Sequence, residues 1–170
     1  MTTPKAKFAG LALIAALCAG FTLGLTAPAW AGLDEGLAAY KRADYATALR
    51  EWRPLAEQGS ADAQFFLGVM YHKGHGVPQD YAEATRWFRE AAERDLAASQ
   101  VALGAMYGLG HGVPRDYVQA HVWINLAVSN LPPGEGRDKA VKSRDLLAKS
   151  MTPAQISEAE KLAREWKPKK

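Results

Sequence analysis

The histidines are the residues of this sequence best suited to chemistry, because an imidazole ligates metals and exchanges protons near neutral pH. They are His72, His75, His111 and His121. His75 and His111 occupy the same place in two Gly-His-Gly-Val-Pro segments that lie 36 residues apart. Packed helices lie about 8–10 Å apart, whereas zinc holds each nitrogen ligand at about 2 Å. We therefore expect both to be polar turn residues, and we predict no metal site.

The remaining sequence offers no other catalytic arrangement. A Ser–His–Asp pattern, a phosphate-binding glycine loop and a framed pair of carboxylates are all missing from it. Gly74-x-Gly76 ends a helix and runs into Pro78, so it does not match a dinucleotide-binding fingerprint. We predict no catalytic residue, no cofactor and no enzyme activity. The alternative is a hydrolase acting on cell-wall material, with His75 and Asp80 as its available groups.

An internal sequence repeat predicts the helices that position these histidine-containing turns. Leu67 matches Leu103 at a period of 36 residues, which is typical of a solenoid of stacked helical units. Gly68 and Gly104 lie mid-helix, where glycine costs about 1 kcal/mol relative to alanine. That cost, present in both copies, predicts helices too close together to admit a Cβ. Four residues of the first helix are identical in the two copies, and their i, i+3, i+4, i+7 spacing places them on one helix face. They are Gln64, Leu67, Gly68 and Tyr71.

The second helix of each unit carries a matching stripe of rings and alanines. In the first copy the stripe is Tyr81, Ala84, Trp87 and Ala91. Asp80 and Asp116 precede these helices and are expected to cap them.

The doubled pattern LGxMYxxGxGVPxDYxxAxxW resembles the Sel1-like repeat (SLR) family, a relative of the tetratricopeptide repeats. The match covers roughly Asp44 to Ala127. The resemblance implies an all-α, right-handed αα-hairpin solenoid that serves protein–protein contacts. It implies an unidentified protein or peptide as partner.

The N-terminus is predicted to be a secretory signal peptide. Lys5 and Lys7 precede an uncharged apolar run over residues 8–25, and a small-residue site ends at Ala31. Cleavage after Ala31 would make Gly32 the first mature residue and place the protein in the periplasm or outside the cell. The alternative is an uncleaved segment that anchors the chain, since the run is near the length that spans a bilayer.

Signal cleavage would leave a nearly neutral chain without cysteine. The single cysteine, Cys18, lies in the signal, so disulfides and thiolate chemistry are excluded from the mature protein. Removing Lys5 and Lys7 reduces the 21 basic residues to 19, against 18 acidic ones. We therefore expect no nucleic-acid partner and no stable membrane span after cleavage. The sequence does not predict the oligomeric state.

The chain is expected to divide into a signal, three hairpins and a C-terminal cap. The first hairpin diverges, because the Leu-Gly and Gly-x-Gly elements are missing from it and Pro54 predicts a kink or a helix restart. The predicted segments are a signal peptide (1–31), a divergent hairpin (32–59), two repeats (60–95 and 96–131), a loop (132–136), capping helices (137–166) and a solvated basic tail (167–170).

The candidate binding residues are those that differ between the two copies. On the first helices they form an i, i+4, i+7 stripe beside the matched face, and solenoids bind ligands along extended concave surfaces. The candidate groove consists of Phe65, Val69, His72, Val101, Ala105 and Gly108. The alternative is that Phe65 and Val69 complete the core. The sequence thus predicts an exported interaction module or adaptor of the bacterial cell envelope.

Overall fold

A computed structural model describes residues 29–169, and this part of the chain is entirely helical apart from its turns. The hairpins are α1 (Ala29–Lys41) with α2 (Tyr45–Glu57), α3 (Ala61–Lys73) with α4 (Tyr81–Ala92), and α5 (Ala97–Leu109) with α6 (Tyr117–Asn130). Then follow α7 (Glu135–Ala148) and α8 (Pro153–Glu165). The second helix of each of the first two hairpins also packs on the next hairpin, which makes the chain an all-α solenoid.

The predicted export signal lies almost wholly outside the described residues, which begin at residue 29. Within residues 29–169, every helix is too short or too polar to cross a bilayer.

The helix crossings confirm the close approach predicted at the repeated glycines. A Cβ added to Gly68 would lie 2.5 Å from the Phe88 ring. A Cβ on Gly104 would lie 2.6 Å from Cγ1 of Ile124, the residue equivalent to Phe88 in the next hairpin. Each hairpin therefore places a large side chain directly on the bare backbone of its first helix.

The first hairpin has the same contact, made by Gly36, even though the Leu-Gly pair of the repeats is missing from its sequence. A Cβ on Gly36 would collide with the indole of Trp52, which occupies the position of Phe88. The 36-residue register missed Gly36 because the turn from Lys41 to Tyr45 is four residues shorter than the turn from Lys73 to Tyr81. The first hairpin is thus a full structural repeat with a short turn.

Pro54 does not restart the helix, contrary to one of the two expectations for it. It lies inside α2, where the backbone ladder continues beyond it because the Gln58 N–H donates to the Pro54 carbonyl at 3.1 Å. A proline inside a helix removes its own N–H from the ladder and crowds the carbonyl four residues earlier, and Pro54 lies on the exposed side of α2.

Two buried glutamines of the matched face close the ends of preceding helices. The Gln64 amide donates to the Ala56 carbonyl at 3.0 Å, and the Gln100 amide donates to the Ala92 carbonyl at 3.3 Å. The last carbonyls of a helix lack partners within it. The repeated glutamine therefore fastens each hairpin to the one before.

The C-terminal helices both pack on α6. Helix α7 contacts it through Ala140 and α8 through Ala159. Helix α7 begins at Glu135, inside the predicted loop, because Gly134 in its positive-φ conformation already ends the connection. The tail was predicted to be solvated, and residues 167–169 are exposed. The Lys169 N–H also donates to the Glu93 carbonyl at the end of α4.

Candidate functional site

The first half of the candidate groove, on α3, packs largely against the core. Phe65 and Val69 are half-buried against the cluster that contains Phe88 and Met106. The Phe65 ring lies 5.9 Å from the Phe88 ring and 5.6 Å from that of Phe66. These contacts favour the alternative in which Phe65 and Val69 complete the core between adjacent hairpins.

His72 lies at the joint between the second and third hairpins. Its half-buried ring is 5.3 Å from the Tyr81 ring and 6.5 Å from the His111 ring. Burial lowers the pKa of His72, and the nearby His111 and Lys73 charges lower it further. The side chain is therefore held neutral at physiological pH and faces the next repeat.

The second half of the groove, on α5, is more open. Val101 packs beside Ile124 and Ala140, so α7 covers part of it. Ala105 is exposed. A Cβ on Gly108 would meet only the Ala120 Cβ, at 3.8 Å, which leaves room for a ligand atom or a larger side chain.

Leu109 extends this open face and was missed by the sequence analysis. It is 64% exposed at the end of α5, a large apolar side chain in water. The sequence alone could have identified it, because the equivalent residue of the preceding repeat is Lys73. A position that is charged in one repeat and apolar in the next is a candidate for ligand contact. We name Ala105, Gly108 and Leu109 the open α5 face.

The two turn histidines serve separate joints between hairpins. The His75 ring stacks on Tyr45 at 4.4 Å, and its Nδ1 is 2.9 Å from the Tyr40 hydroxyl. The His111 ring stacks on Tyr81 at 4.4 Å. Within residues 29–169 no group of three or more His, Cys, Asp or Glu side chains is arranged to hold a metal ion.

Asp80 is a helix cap. Its carboxylate accepts hydrogen bonds from the N–H groups of Ala82 and Glu83 at 2.8 and 3.0 Å. With His75 stacked on Tyr45, both residues on which the hydrolase alternative depends are engaged in structure.

The comparisons with known proteins agree with this architecture. The family model described as Sel1 repeat matches residues 61–96 and 97–130. The crystal structure of a Sel1 repeat protein from Oxalobacter formigenes is 30% identical, covers 62% of this chain and 83% of its own, and superposes with a TM-score of 0.59. The chain belongs to the Sel1 repeat family.

A second Sel1-type structure is longer. A protective antigen present in uropathogenic Escherichia coli strains, displaying an SLR fold, is 34% identical over 82% of this chain, with a TM-score of 0.76. This chain spans 30% of that antigen's length. The search of curated proteins found no match.

The Sel1 repeats here use their shared polar residues to join hairpins. The Arg53 guanidinium donates to the Tyr71 hydroxyl at 3.3 Å, and Arg89 donates to the Tyr107 hydroxyl at 3.0 Å, one repeat later. Because these shared residues are engaged in contacts between hairpins, the residues that differ between the repeats are the better candidates for ligand contact.

Proposed function

We propose that this Sel1 repeat chain is an exported interaction module of the bacterial cell envelope and that its ligand is another protein or a peptide. Sel1 repeats are protein–protein interaction modules, and repeat solenoids present extended surfaces suited to that task. The observation that carries the proposal is the structural use of the shared polar groups. The repeated glutamine, tyrosine, histidine and aspartate side chains all bind or pack within the solenoid.

We place the ligand on the open α5 face. Leu109 offers a large apolar side chain there, Ala105 is exposed, and Gly108 leaves space beside it. Buried apolar anchors supply much of the affinity of protein interfaces. The contribution of the α3 residues, Phe65 and Val69, is to shape and support this face rather than to touch the ligand.

The proposed cleavage site is compatible with the packing of α1 on α2. Gly32 lies against Leu55, and the Leu33 carbonyl accepts a hydrogen bond from the Trp52 indole at 3.2 Å. Cleavage after Ala31 would leave these contacts intact.

The test is a capture experiment on an envelope extract with matched variants. Ala105→Glu puts a charge on the open α5 face, whereas Ala82→Glu puts the same charge on an exposed alanine of α4. Unmodified protein and Ala82→Glu should capture the same protein, and Ala105→Glu should lose it. Capture that is equal for all three folded proteins would contradict the assignment of this face.

A further inference from the structure

Leu109 and Leu146 are the two most exposed large apolar side chains in the described part of the chain. Leu109, at the end of α5, is 64% exposed, and Leu146, near the end of α7, is 66% exposed. Leu109 belongs to the open α5 face, whereas the preceding sections give Leu146 no role. Single apolar side chains on a surface are ordinary, but neighbouring ones mark an interaction site. The two leucines form one surface if α7 lies beside α5 as a further repeat would.

Helix α7 packs on α6 in the register in which α5 packs on α4. The Arg89 side chain of α4 donates to the Tyr107 hydroxyl of α5 at 3.0 Å. One repeat later, the Asn125 side chain of α6 accepts from the Arg144 guanidinium of α7 at 3.3 Å. Because Asn125 stands 36 residues after Arg89, Arg144 takes the place of Tyr107.

The buried residues of the two helices give the same register. Leu103 is buried on α5 in the cluster that contains Phe88. Ala140 is buried on α7 in the cluster that contains Ile124, the residue equivalent to Phe88. Each lies four residues before the polar contact just described and six residues before the exposed leucine of its helix. The two leucines therefore occupy equivalent places, at the same ends of two helices that run in the same direction.

The first two hairpins carry a lysine at this place. The fifth residue after the glycine of each helix crossing is Lys41 in α1, Lys73 in α3 and Leu109 in α5. Both lysines are exposed, and neither forms an ion pair with a residue that the structure describes. A cation in the last turn stabilises the C-terminal end of a helix, yet the last turns of α5 and α7 contain none. These two helices expose a leucine to water where a lysine would be the stabilising residue.

We propose that Lys41, Lys73, Leu109 and Leu146 form one docking edge for a peptide that is acidic in one half and apolar in the other. The acidic half would meet the two lysines, and the apolar half would cover the two leucines. Buried apolar area supplies affinity, while opposite charges orient the ligand and select it. This inference rests on the proposed function and extends its site from the open α5 face to α7 on one side and to α3 and α1 on the other.

A second copy of this chain fits the docking edge less well than such a peptide. In a two-fold symmetric contact the lysines would face either the partner's lysines or its leucines, and neither pairing is complementary. Two leucine side chains also offer far less than the roughly 800 Å² per partner that a stable interface buries. The docking edge contains no acidic residue of its own with which a second copy could pair.

Selection of a random peptide library, displayed on phage and presented to the folded protein, tests the chemistry of the ligand. The selected peptides should be enriched in Asp or Glu in one half and in large apolar residues in the other. Their binding should weaken several-fold as salt is raised, because salt screens exposed charges. Selected peptides without acidic enrichment, or no selected peptide at all, would overturn the proposal.

Two variants and two matched controls locate the bound peptide. Leu146→Lys and Lys73→Glu should each weaken binding of the selected peptide by about tenfold. Leu162→Lys and Lys161→Glu make the same changes at exposed residues of α8, which packs on α6, and should leave binding unchanged. Equal binding by all four variants would overturn the proposal. A dimer of the unmodified protein that Leu146→Lys dissociates would also overturn it, in favour of a second copy.

This outcome is separable from that of the proposed function. An envelope protein that is lost by Ala105→Glu but retained by Leu146→Lys and Lys73→Glu would leave the open α5 face in place and overturn the docking edge. Loss of the same protein in all three folded variants would support both. If the envelope extract yields no captured protein, the proposed function is contradicted, and the peptide selection still decides the chemistry of the docking edge.

Discussion

Replacing Gly104 with alanine tests the close helix crossing that all three hairpins share. The new Cβ would lie 2.6 Å from Cγ1 of Ile124 and 3.0 Å from the carbonyl oxygen of Ala120. Because that oxygen belongs to the backbone of α6, the clash is relieved only if α6 shifts away from α5. Overpacking of a well-packed contact typically costs about 1–3 kcal/mol.

Gly108→Ala is the matched control for this variant. Both changes gain helix propensity, up to about 1 kcal/mol over glycine, but the Gly108 site has space, with the Ala120 Cβ at 3.8 Å as the nearest neighbour. Gly108→Ala should therefore keep or raise stability, and Gly104→Ala should be less stable than it by about 1–3 kcal/mol. Gly104→Val and Gly68→Val should lose more, because two further carbon atoms enter the crossing.

Urea unfolding followed by circular dichroism measures these differences. The urea midpoint of Gly108→Ala should equal or exceed that of the unmodified protein, and the midpoint of Gly104→Ala should be lower than both. The dependence of the unfolding free energy on urea concentration should be similar in all three. Equal midpoints for the two alanine variants would refute the close-approach argument. A drop in Gly108→Ala as large as that in Gly104→Ala would refute it equally.

Three further predictions concern a buried amide, a titrating group and the N-terminus. Gln100→Met removes the side-chain donor to the Ala92 carbonyl, which keeps only the Asp95 N–H, and should cost about 0.5–1.5 kcal/mol in urea unfolding; no loss would contradict its role in joining the hairpins. Because burial lowers the pKa of His72, the unfolded chain binds that proton more readily, so stability should fall as the pH drops through about 6.5. His72→Gln should reduce that fall in thermal melts at pH 5.5 and 7.5, and an identical fall would contradict the assignment. N-terminal sequencing of the exported protein should begin at Gly32, and a start before Leu25 would mean that the apolar segment is retained.

The sequence predicted the all-α solenoid because the packing constraints recur. Gly68 and Gly104 stand in the same register, so one internal comparison marks them as close contacts. Gly36 escaped that comparison, since a turn four residues shorter moves the first helix out of the 36-residue register. Insertions and deletions in turns leave the helix crossing unchanged, and only coordinates restore the correspondence between Gly36 and Gly68.

The candidate groove was harder to predict than the fold. Its six residues share one stripe, yet Phe65 and Val69 face the next hairpin, while Ala105 faces solvent. The difference arises because the solenoid is directional: each repeat covers the one before it, and α7 covers only part of the last. The residue pattern of a single helix does not show which neighbouring hairpin covers it. The sequence pattern also does not reveal that α8 packs on α6.

Photo-cross-linking in cells tests the proposed binding surface most directly. A photoreactive amino acid is placed at Leu109, on the open α5 face, or at Ala82, an exposed position of α4. The account predicts a discrete adduct with one other protein from Leu109 and none of that mass from Ala82. Folded protein that gives no protein adduct at Leu109, or the same adduct from both positions, would contradict it.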